Sequence, residues 1–173
     1  PASQNTPVPV TATCIYYYDI CIMKKIAEYL GKKDEVQELE QLRKEVYREY
    51  NLQFFDDQTF CYATGSQAAQ AMSLVTGLVP DKYREKVTER LRKDIVNRNY
   101  AVTAGDIGHP FLITAAIQNE LSDLINEMTE QTETPGYGYQ VVNGATTLTE
   151  EWDGPQLGNC HGCLLYTSPS PRD

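Results

Sequence analysis

The sequence predicts an all-α fold made of about three helical hairpins. Apolar residues recur at helical spacing in successive segments, and serine, proline and glycine stand where such helices would begin or end. No segment alternates apolar and polar residues over the length of a strand, except 140–143, which is kept as a possible short strand. Hairpins with long loops at one end are typical of an α/α barrel, whose active site lies among those loops.

The first two predicted helices form one hairpin. A helix over 11–30 ends at Gly31, which is suited to a C-cap, and the next helix starts at Asp34 as its N-cap. Both segments carry apolar residues at helical spacing. These residues are Ile15, Tyr18, Ile22, Ile26, Tyr29 and Leu30 in the first helix, and the stripe Val36, Leu39, Leu42, Val46 and Tyr50 in the second.

Shorter helices follow. Ser66 is the predicted N-cap of a helix over 67–76 that ends at Gly77, and Pro80 begins another that runs to about residue 97. Further helices are predicted over 111–119 and 121–132. The residues expected to face inward are Val87, Leu91 and Ile95 in the helix after Pro80, and Leu124, Ile125 and Met128 in the last one. Loops are predicted over 103–108 and 134–154.

Charge and composition exclude several functions. The chain is 41% hydrophobic and 23% charged, as in a globular protein, and its net charge is −9. No apolar run approaches the roughly 18 residues that a membrane span needs. The basic residues alternate with Asp and Glu on predicted helices, so they form no patch for nucleic-acid phosphates.

The last residues of the chain differ from the rest. Residues 163–173 have no helical periodicity and resemble the translation of a transposase adapter used in short-read DNA libraries. We therefore expect a domain over 1–162 and a non-native tail over 163–173. This leaves the Cys160-x-x-Cys163 motif a weak metal candidate, because one thiol belongs to the tail. Cys14 and Cys21 are predicted to be buried thiols that form no disulfide. The absence of a disulfide pattern favours a protein of the cytoplasm. No cofactor is predicted.

The loop over 134–154 holds the residues best suited to a sugar site. They are Tyr137, Tyr139, the only tryptophan Trp152, and the acids Glu150, Glu151 and Asp153. Aromatic faces pack on the apolar faces of a pyranose, and carboxylates bind hydroxyls or transfer protons. The alternative is that the aromatic residues only pack the loop, while the acids stabilise helix N-termini. The residues alone leave both interpretations open.

Several motifs together resemble the C-terminal half of the catalytic barrel of bacterial α-L-rhamnosidases. They are Gly105-Asp106-Ile107-Gly108, Thr134-Pro135-Gly136-Tyr137-Gly138-Tyr139 and the run from Gly144 to Gly154. Upstream, Tyr16-Tyr17-Tyr18-Asp19, the segment 27–33 and Gly65-Ser66-Gln67 resemble the same family in the same order. The resemblance covers nearly all of residues 8–158.

The resemblance implies a partial (α/α)6 six-hairpin barrel and an enzyme that removes terminal α-L-rhamnose with inversion. Inversion needs one carboxylic acid that protonates the leaving oxygen and one carboxylate that activates water. Glu150, in its Ala-Thr-Thr-Leu-x-Glu setting, corresponds to the family's general base. Many members have tryptophan where this chain has Thr149, and Glu151, at a variable position, is expected to be a surface charge.

The resemblance also implies that Asp106, Tyr137, Tyr139 and Trp152 bind the substrate. Asp106 could instead cap the helix that follows it. His109, next to Pro110, is either a sugar ligand or a structural residue, and the sequence leaves this open. The expected partners are rhamnose-terminated glycosides or oligosaccharides, without nucleic acid or membrane. The oligomeric state stays open.

The family's general acid lies in a stretch of Asp-Cys-Pro-x-Arg-Glu type, which does not occur in this sequence and would precede Pro1. We therefore expect the chain to be a fragment without activity of its own. Two alternatives remain: a non-catalytic helical module that binds protein or glycan, and a six-hairpin glycosidase specific for another sugar. Glu150 in its setting favours an enzyme, because a scaffold would not need it.

Overall fold

Helices make up most of the part of the chain that the computed structural model describes, residues 5–149 and 151–154. In this part the helices are α1 (Val8–Tyr29), α2 (Lys33–Phe54), α3 (Gln67–Thr76), a 3-10 turn (Asp81–Tyr83), α4 (Arg84–Asn97), α5 (Gly108–Gln118), α6 (Ser122–Glu130) and α7 (Tyr137–Val142). The two short strands β1 (Phe55–Asp56) and β2 (Cys61–Tyr62) pair antiparallel, with Phe55 opposite Tyr62. No helix in this part of the chain has the length and apolar character that crossing a bilayer requires.

The short helix α3 lies at the centre of the packing. It contacts α1, α4 and α5, while α2 packs on α1 and α6 packs on α5. Its residues Ala69 and Ala71 are fully buried, and such small side chains let the neighbouring helices approach closely. This order of packed helices confirms the predicted all-α chain of helical hairpins.

The N-terminal ends of α1, α3 and α5 meet at one end of the bundle. The Thr6 hydroxyl, just before α1, lies 2.6 Å from the hydroxyl of Ser66, just before α3. At the start of α5, a Cβ on Gly108 would lie only 2.6 Å from the Cβ of Ala68 in the first turn of α3. The loops that precede these helices are therefore neighbours in space.

Several predicted helix ends are confirmed. The Ser66 hydroxyl accepts a hydrogen bond from Ala69 N at 3.3 Å, as an N-cap does, and Gly77 ends α3 with a φ of 81°. Val87, Leu91 and Ile95 are buried in α4 as expected. Cys14 is a buried free thiol, as predicted, whereas Cys21 is a free thiol that is only half-buried rather than buried.

Other predictions need correction. Helix α2 starts at Lys33, with Asp34 in its first turn rather than at the N-cap, and α5 starts at Gly108, because Pro110 is tolerated in a first turn. Ile125 is half-buried, whereas Leu124 and Met128 are buried.

The possible strand over 140–143 and part of the predicted loop before it form α7 instead. Residues 163–173 lie outside the described residues.

Helix α1 starts at Val8, three residues earlier than predicted, and buries a different face from the one its apolar spacing indicated. Its buried residues are Val10, Cys14, Tyr17, Ile20 and Ala27. The expected apolar residues Tyr18, Ile26 and Tyr29 are instead exposed, by 43%, 53% and 91%. The helix is therefore apolar on two sides, and one of these sides faces outward.

A cluster of charges joins α1 to α2 around Glu40. Arg43 donates two hydrogen bonds to the Glu40 carboxylate, at 2.8 and 2.9 Å, and Lys24 of α1 lies 3.0 Å from it. Arg43 also donates to the Tyr17 hydroxyl at 2.9 Å. The hydrogen bonds from Arg43, and then from Lys24, lower the pKa of Glu40 to about 2. The carboxylate is therefore more stable when the helices are packed.

We expect Glu40→Gln to lower the free energy of unfolding by about 1 kcal/mol at pH 7, since 26% of the side chain is exposed and solvent screens the pairs. The folded-state pKa is depressed from 4.5 to about 2, so this contribution is lost as pH falls through that interval. Urea unfolding at pH 7, 5 and 3 measures the effect. Glu38→Gln, which changes an exposed acid on the same helix, is the matched control. If the free energy of unfolding of Glu40→Gln falls with pH below 5 as steeply as that of the wild type, the assignment is wrong.

Candidate functional site

The segment 101–104 forms the backbone of the candidate site. It follows α4 and leads through Asp106 into α5. Val102 N donates to Pro135 O at 2.8 Å, which fixes the chain just before α7. The indole nitrogen of Trp152 donates to Ala104 O at 2.8 Å. This one segment therefore holds two parts of the chain that are distant from it in sequence.

An aromatic cluster of His109, Tyr137 and Trp152 lies beside this segment. The ring centroids of Trp152 are 4.9 Å from those of both His109 and Tyr137, and the Tyr137 ring meets the indole edge to face, at 78°. His109 Nε2 lies 3.1 Å from the Tyr137 hydroxyl, within hydrogen-bond distance. The first turns of α5 and α7 thus bring their side chains onto the same tryptophan.

Burial sets the charge state of the aromatic cluster. It lowers the pKa of His109, while the nearby Asp106 carboxylate acts in the opposite direction with a smaller effect. Burial also raises the pKa of Tyr137. The imidazole is therefore neutral and the phenol protonated at neutral pH. His109 is 7% exposed, and its Nδ1 has no hydrogen-bond partner among the described residues.

Asp106 and Tyr139 take different places relative to the aromatic cluster. Asp106 is exposed in the turn before α5, close enough for its charge to act on His109. Tyr139 is half-buried on α7, two residues after Tyr137. Residues two apart on a helix point about 200° apart, so the two tyrosines face different sides of α7. Of the two, Tyr137 belongs to the aromatic cluster.

Glu150 lies outside the described residues, but its two chain neighbours are held by one buried side chain. The Oε1 of Gln140 accepts from Thr149 N, and its Nε2 donates to Glu151 O, both at 3.4 Å. Gln140 is 2% exposed on α7, next to the helical turn that carries Tyr137. The side chain of Glu151 is exposed, as expected of a surface charge.

Two glycines allow this close arrangement. A Cβ on Gly138 would meet the carbonyl oxygens of Gln131 and Glu130 at the end of α6, so only glycine lets α7 lie this near. Gly108 has the same role between α5 and α3, as described above. Both glycines stand one residue from a member of the aromatic cluster.

Sequence reasoning named Tyr137, Trp152 and Asp106 as candidates, but left His109 undecided and did not single out Gln140. The structure places His109 within the aromatic cluster. A glutamine in a run that resembles a loop gives no sequence signal for its role, because its two bonds reach residues nine and eleven positions away. Among the described residues, no three His, Cys, Asp or Glu side chains form a group that could hold a metal ion.

Comparison with known proteins places this chain in one family. The family model described as bacterial alpha-L-rhamnosidase 6 hairpin glycosidase domain matches residues 1–165. An alpha-L-rhamnosidase of Formosa agariphila is 25% identical over 149 residues, which is 86% of this chain and 16% of that protein. An alpha-L-rhamnosidase of Streptomyces avermitilis is 25% identical over 154 residues, which is 89% of this chain and 15% of that protein.

Solved structures show the same fold. The crystal structure of native alfa-L-rhamnosidase from Aspergillus terreus superposes with a TM-score of 0.81 at 24% identity, over 88% of this chain and 18% of that one. Streptomyces avermitilis alpha-L-rhamnosidase complexed with L-rhamnose superposes with a TM-score of 0.79 at 24% identity, over 89% of this chain and 15% of that one. The predicted partial (α/α)6 six-hairpin barrel is confirmed. The chain spans less than a fifth of the length of these relatives.

Proposed function

Because this chain belongs to the bacterial alpha-L-rhamnosidase 6 hairpin glycosidase family, we propose that it carries part of the sugar site of an inverting α-L-rhamnosidase. The substrates would be glycosides or oligosaccharides that end in α-L-rhamnose. The observation that carries this proposal is the aromatic cluster beside Asp106, with Gln140 bracketing the position of Glu150. Aromatic faces next to carboxylates suit a deoxy sugar, which presents both an apolar face and hydroxyls.

In this proposal Glu150 is the general base. Its carboxylate takes a proton from the water that attacks the anomeric carbon, while a separate carboxylic acid protonates the leaving oxygen. The bonds from Gln140 to the backbone on both sides of position 150 support this role, since a catalytic carboxylate must be held in place. A base on flexible backbone would lose much of its effect.

The remaining roles follow from the aromatic cluster. We assign Trp152 and Tyr137 to the wall of the sugar site, and Asp106 to the sugar hydroxyls. The indole is anchored through its own nitrogen on Ala104 O, so its rings keep a fixed orientation. Tyr139 lies on another side of α7, so we do not assign it to the wall of the sugar site. The proposed binding residues are therefore those expected from the sequence without Tyr139.

We propose that the chain is one part of a longer enzyme and is inactive alone. Its relatives are more than five times longer, and α1 presents exposed apolar residues such as Ile26 and Tyr29, which a further part of the protein would cover. No stretch of this sequence matches the family's general acid, so that residue would come from elsewhere in the full-length protein.

Hydrolysis of an aryl α-L-rhamnoside by the full-length protein tests the proposal. Proton NMR of the first turnovers should show β-L-rhamnose as the initial product, before mutarotation. Aryl α-D-mannoside and β-D-glucoside are the control substrates. Hydrolysis of a control substrate alone would support a six-hairpin glycosidase of another specificity, and binding without any hydrolysis would support a non-catalytic module. Initial α-L-rhamnose would exclude inversion.

A further inference from the structure

The side chain of Gln67 pairs with the backbone of the segment 101–104 as a neighbouring strand would. Its Nε2 donates to Ala101 O at 2.9 Å, and its Oε1 accepts from Thr103 N at 3.0 Å. Gln67 is completely buried in the first turn of α3. Both backbone groups therefore depend on this amide, because water does not reach the side chain that pairs with them.

Gln70, one turn further along α3, makes the same kind of pair with a different segment. Its Oε1 accepts from Tyr62 N at 2.7 Å and its Nε2 donates to Phe60 O at 3.0 Å. Gln70 is also completely buried. One helix thus uses two glutamines to hold two separate pieces of backbone, the β-hairpin with Gln70 and the segment 101–104 with Gln67.

The segment held by Gln67 is the one to which the candidate site is attached. Ala104, one residue beyond Thr103, receives the indole N–H of Trp152, and Val102, between the two bonded residues, donates to Pro135 before Tyr137. A displacement of this backbone would therefore move the tryptophan and the tyrosine together. A displacement of the β-hairpin would move neither.

We propose that Gln67 is a positioning residue of the sugar site: its amide sets the backbone on which Trp152 is anchored, and so sets where the aromatic wall meets the sugar. The role in sugar binding rests on the function proposed above. The positioning of Trp152 itself does not, since it follows from hydrogen bonds within this chain.

The fluorescence of Trp152 tests the positioning directly, because it is the only tryptophan of this chain. Gln67→Met keeps the size of the side chain but leaves Ala101 O and Thr103 N unpaired. We expect a red-shifted emission maximum and stronger quenching by acrylamide. Gln70→Met, which loses an equivalent pair, should show a comparable fall in the urea midpoint but the wild-type emission. Equal emission changes in both variants, or none in either, would overturn the proposal.

Gln67→Glu keeps the test decisive if the methionine variant does not fold. A protonated carboxyl can donate to Ala101 O and accept from Thr103 N, as the amide does, whereas a carboxylate opposes Ala101 O. Emission should therefore move from a displaced value at high pH to the wild-type value at low pH, with wild-type protein measured at each pH as the reference. A variant whose emission stays wild-type at every pH would overturn the positioning role.

In the full-length protein, Gln67→Met should lower kcat/KM for the aryl α-L-rhamnoside by about 10–100-fold, since small displacements at a site have effects of this size. KM should carry part of this loss, and Gln70→Met should keep wild-type kinetics. Wild-type kinetics in Gln67→Met would overturn the link to sugar binding. A wild-type protein that hydrolyses no rhamnoside refutes the proposed function instead, and the fluorescence result still decides the positioning.

Discussion

Replacing Glu150 by glutamine in the full-length enzyme is expected to lower kcat by about 10²–10⁴-fold, with little change in KM. Glutamine keeps the shape of the side chain but cannot accept the proton of the attacking water. The loss should persist with a good leaving group such as nitrophenolate, because protonating the leaving oxygen is the task of the other carboxyl group. Steady-state hydrolysis of an aryl α-L-rhamnoside measures the effect.

Glu151→Gln is the matched control for this variant. Glu151 is the adjacent acid, its side chain is exposed, and its backbone carbonyl, which accepts from Gln140, is unchanged by the substitution. We expect it to keep wild-type turnover. Near-normal turnover in Glu150→Gln, or an equal loss in Glu151→Gln, would show that the general base is another residue.

Azide should restore reaction in Glu150→Gln, because it attacks the anomeric carbon without first losing a proton. The carbon–nitrogen bond forms as the glycosidic bond breaks, and the leaving oxygen takes its proton from the general acid. An inverting enzyme then gives the β-configured glycosyl azide from an α-rhamnoside. Formation of the α-configured azide would contradict the assignment of Glu150 as the base of an inverting reaction.

Local signals predicted both ends of α3, because single residues cap this helix. Ser66 and Gly77 bound α3 where capping chemistry places them. Periodicity was less informative for α1, which is apolar on two sides, so spacing alone could not tell which side packs on α2 and α3. Helix α7 was missed because its position depends on Gly138 meeting the carbonyls of α6, a contact that no local pattern records.

The candidate site was predictable as far as its residue types carry chemistry. Tyr137, Trp152 and Asp106 stand out in the sequence as aromatic and acidic residues in glycine-rich loops. Gln67 and Gln140 do not, since their amides act on backbone that is distant along the chain. Their roles follow only from tertiary structure, and they decide where the recognisable residues lie.

Gly108→Ala is expected to lower the free energy of unfolding by about 1–3 kcal/mol, as overpacking in a core does. The added Cβ would lie 2.6 Å from the Cβ of Ala68, and both atoms belong to the first turns of packed helices. The helices α3 and α5 would therefore have to separate. His109 follows Gly108 directly, so the same displacement should also change the emission of Trp152, whose ring centroid lies 4.9 Å from that of His109.

Gly105→Ala is the matched control, since a Cβ at that position meets nothing within 4 Å and the substitution should be close to neutral. Combining Gly108→Ala with Ala68→Gly returns the space between the helices, so the double variant should recover at least 1 kcal/mol relative to the sum of the single changes, about the size of coupling between residues in contact. Urea unfolding of the four proteins gives this coupling. Strict additivity would mean that α3 and α5 do not meet at these two residues, and the placement of His109 against Trp152 would lose its support.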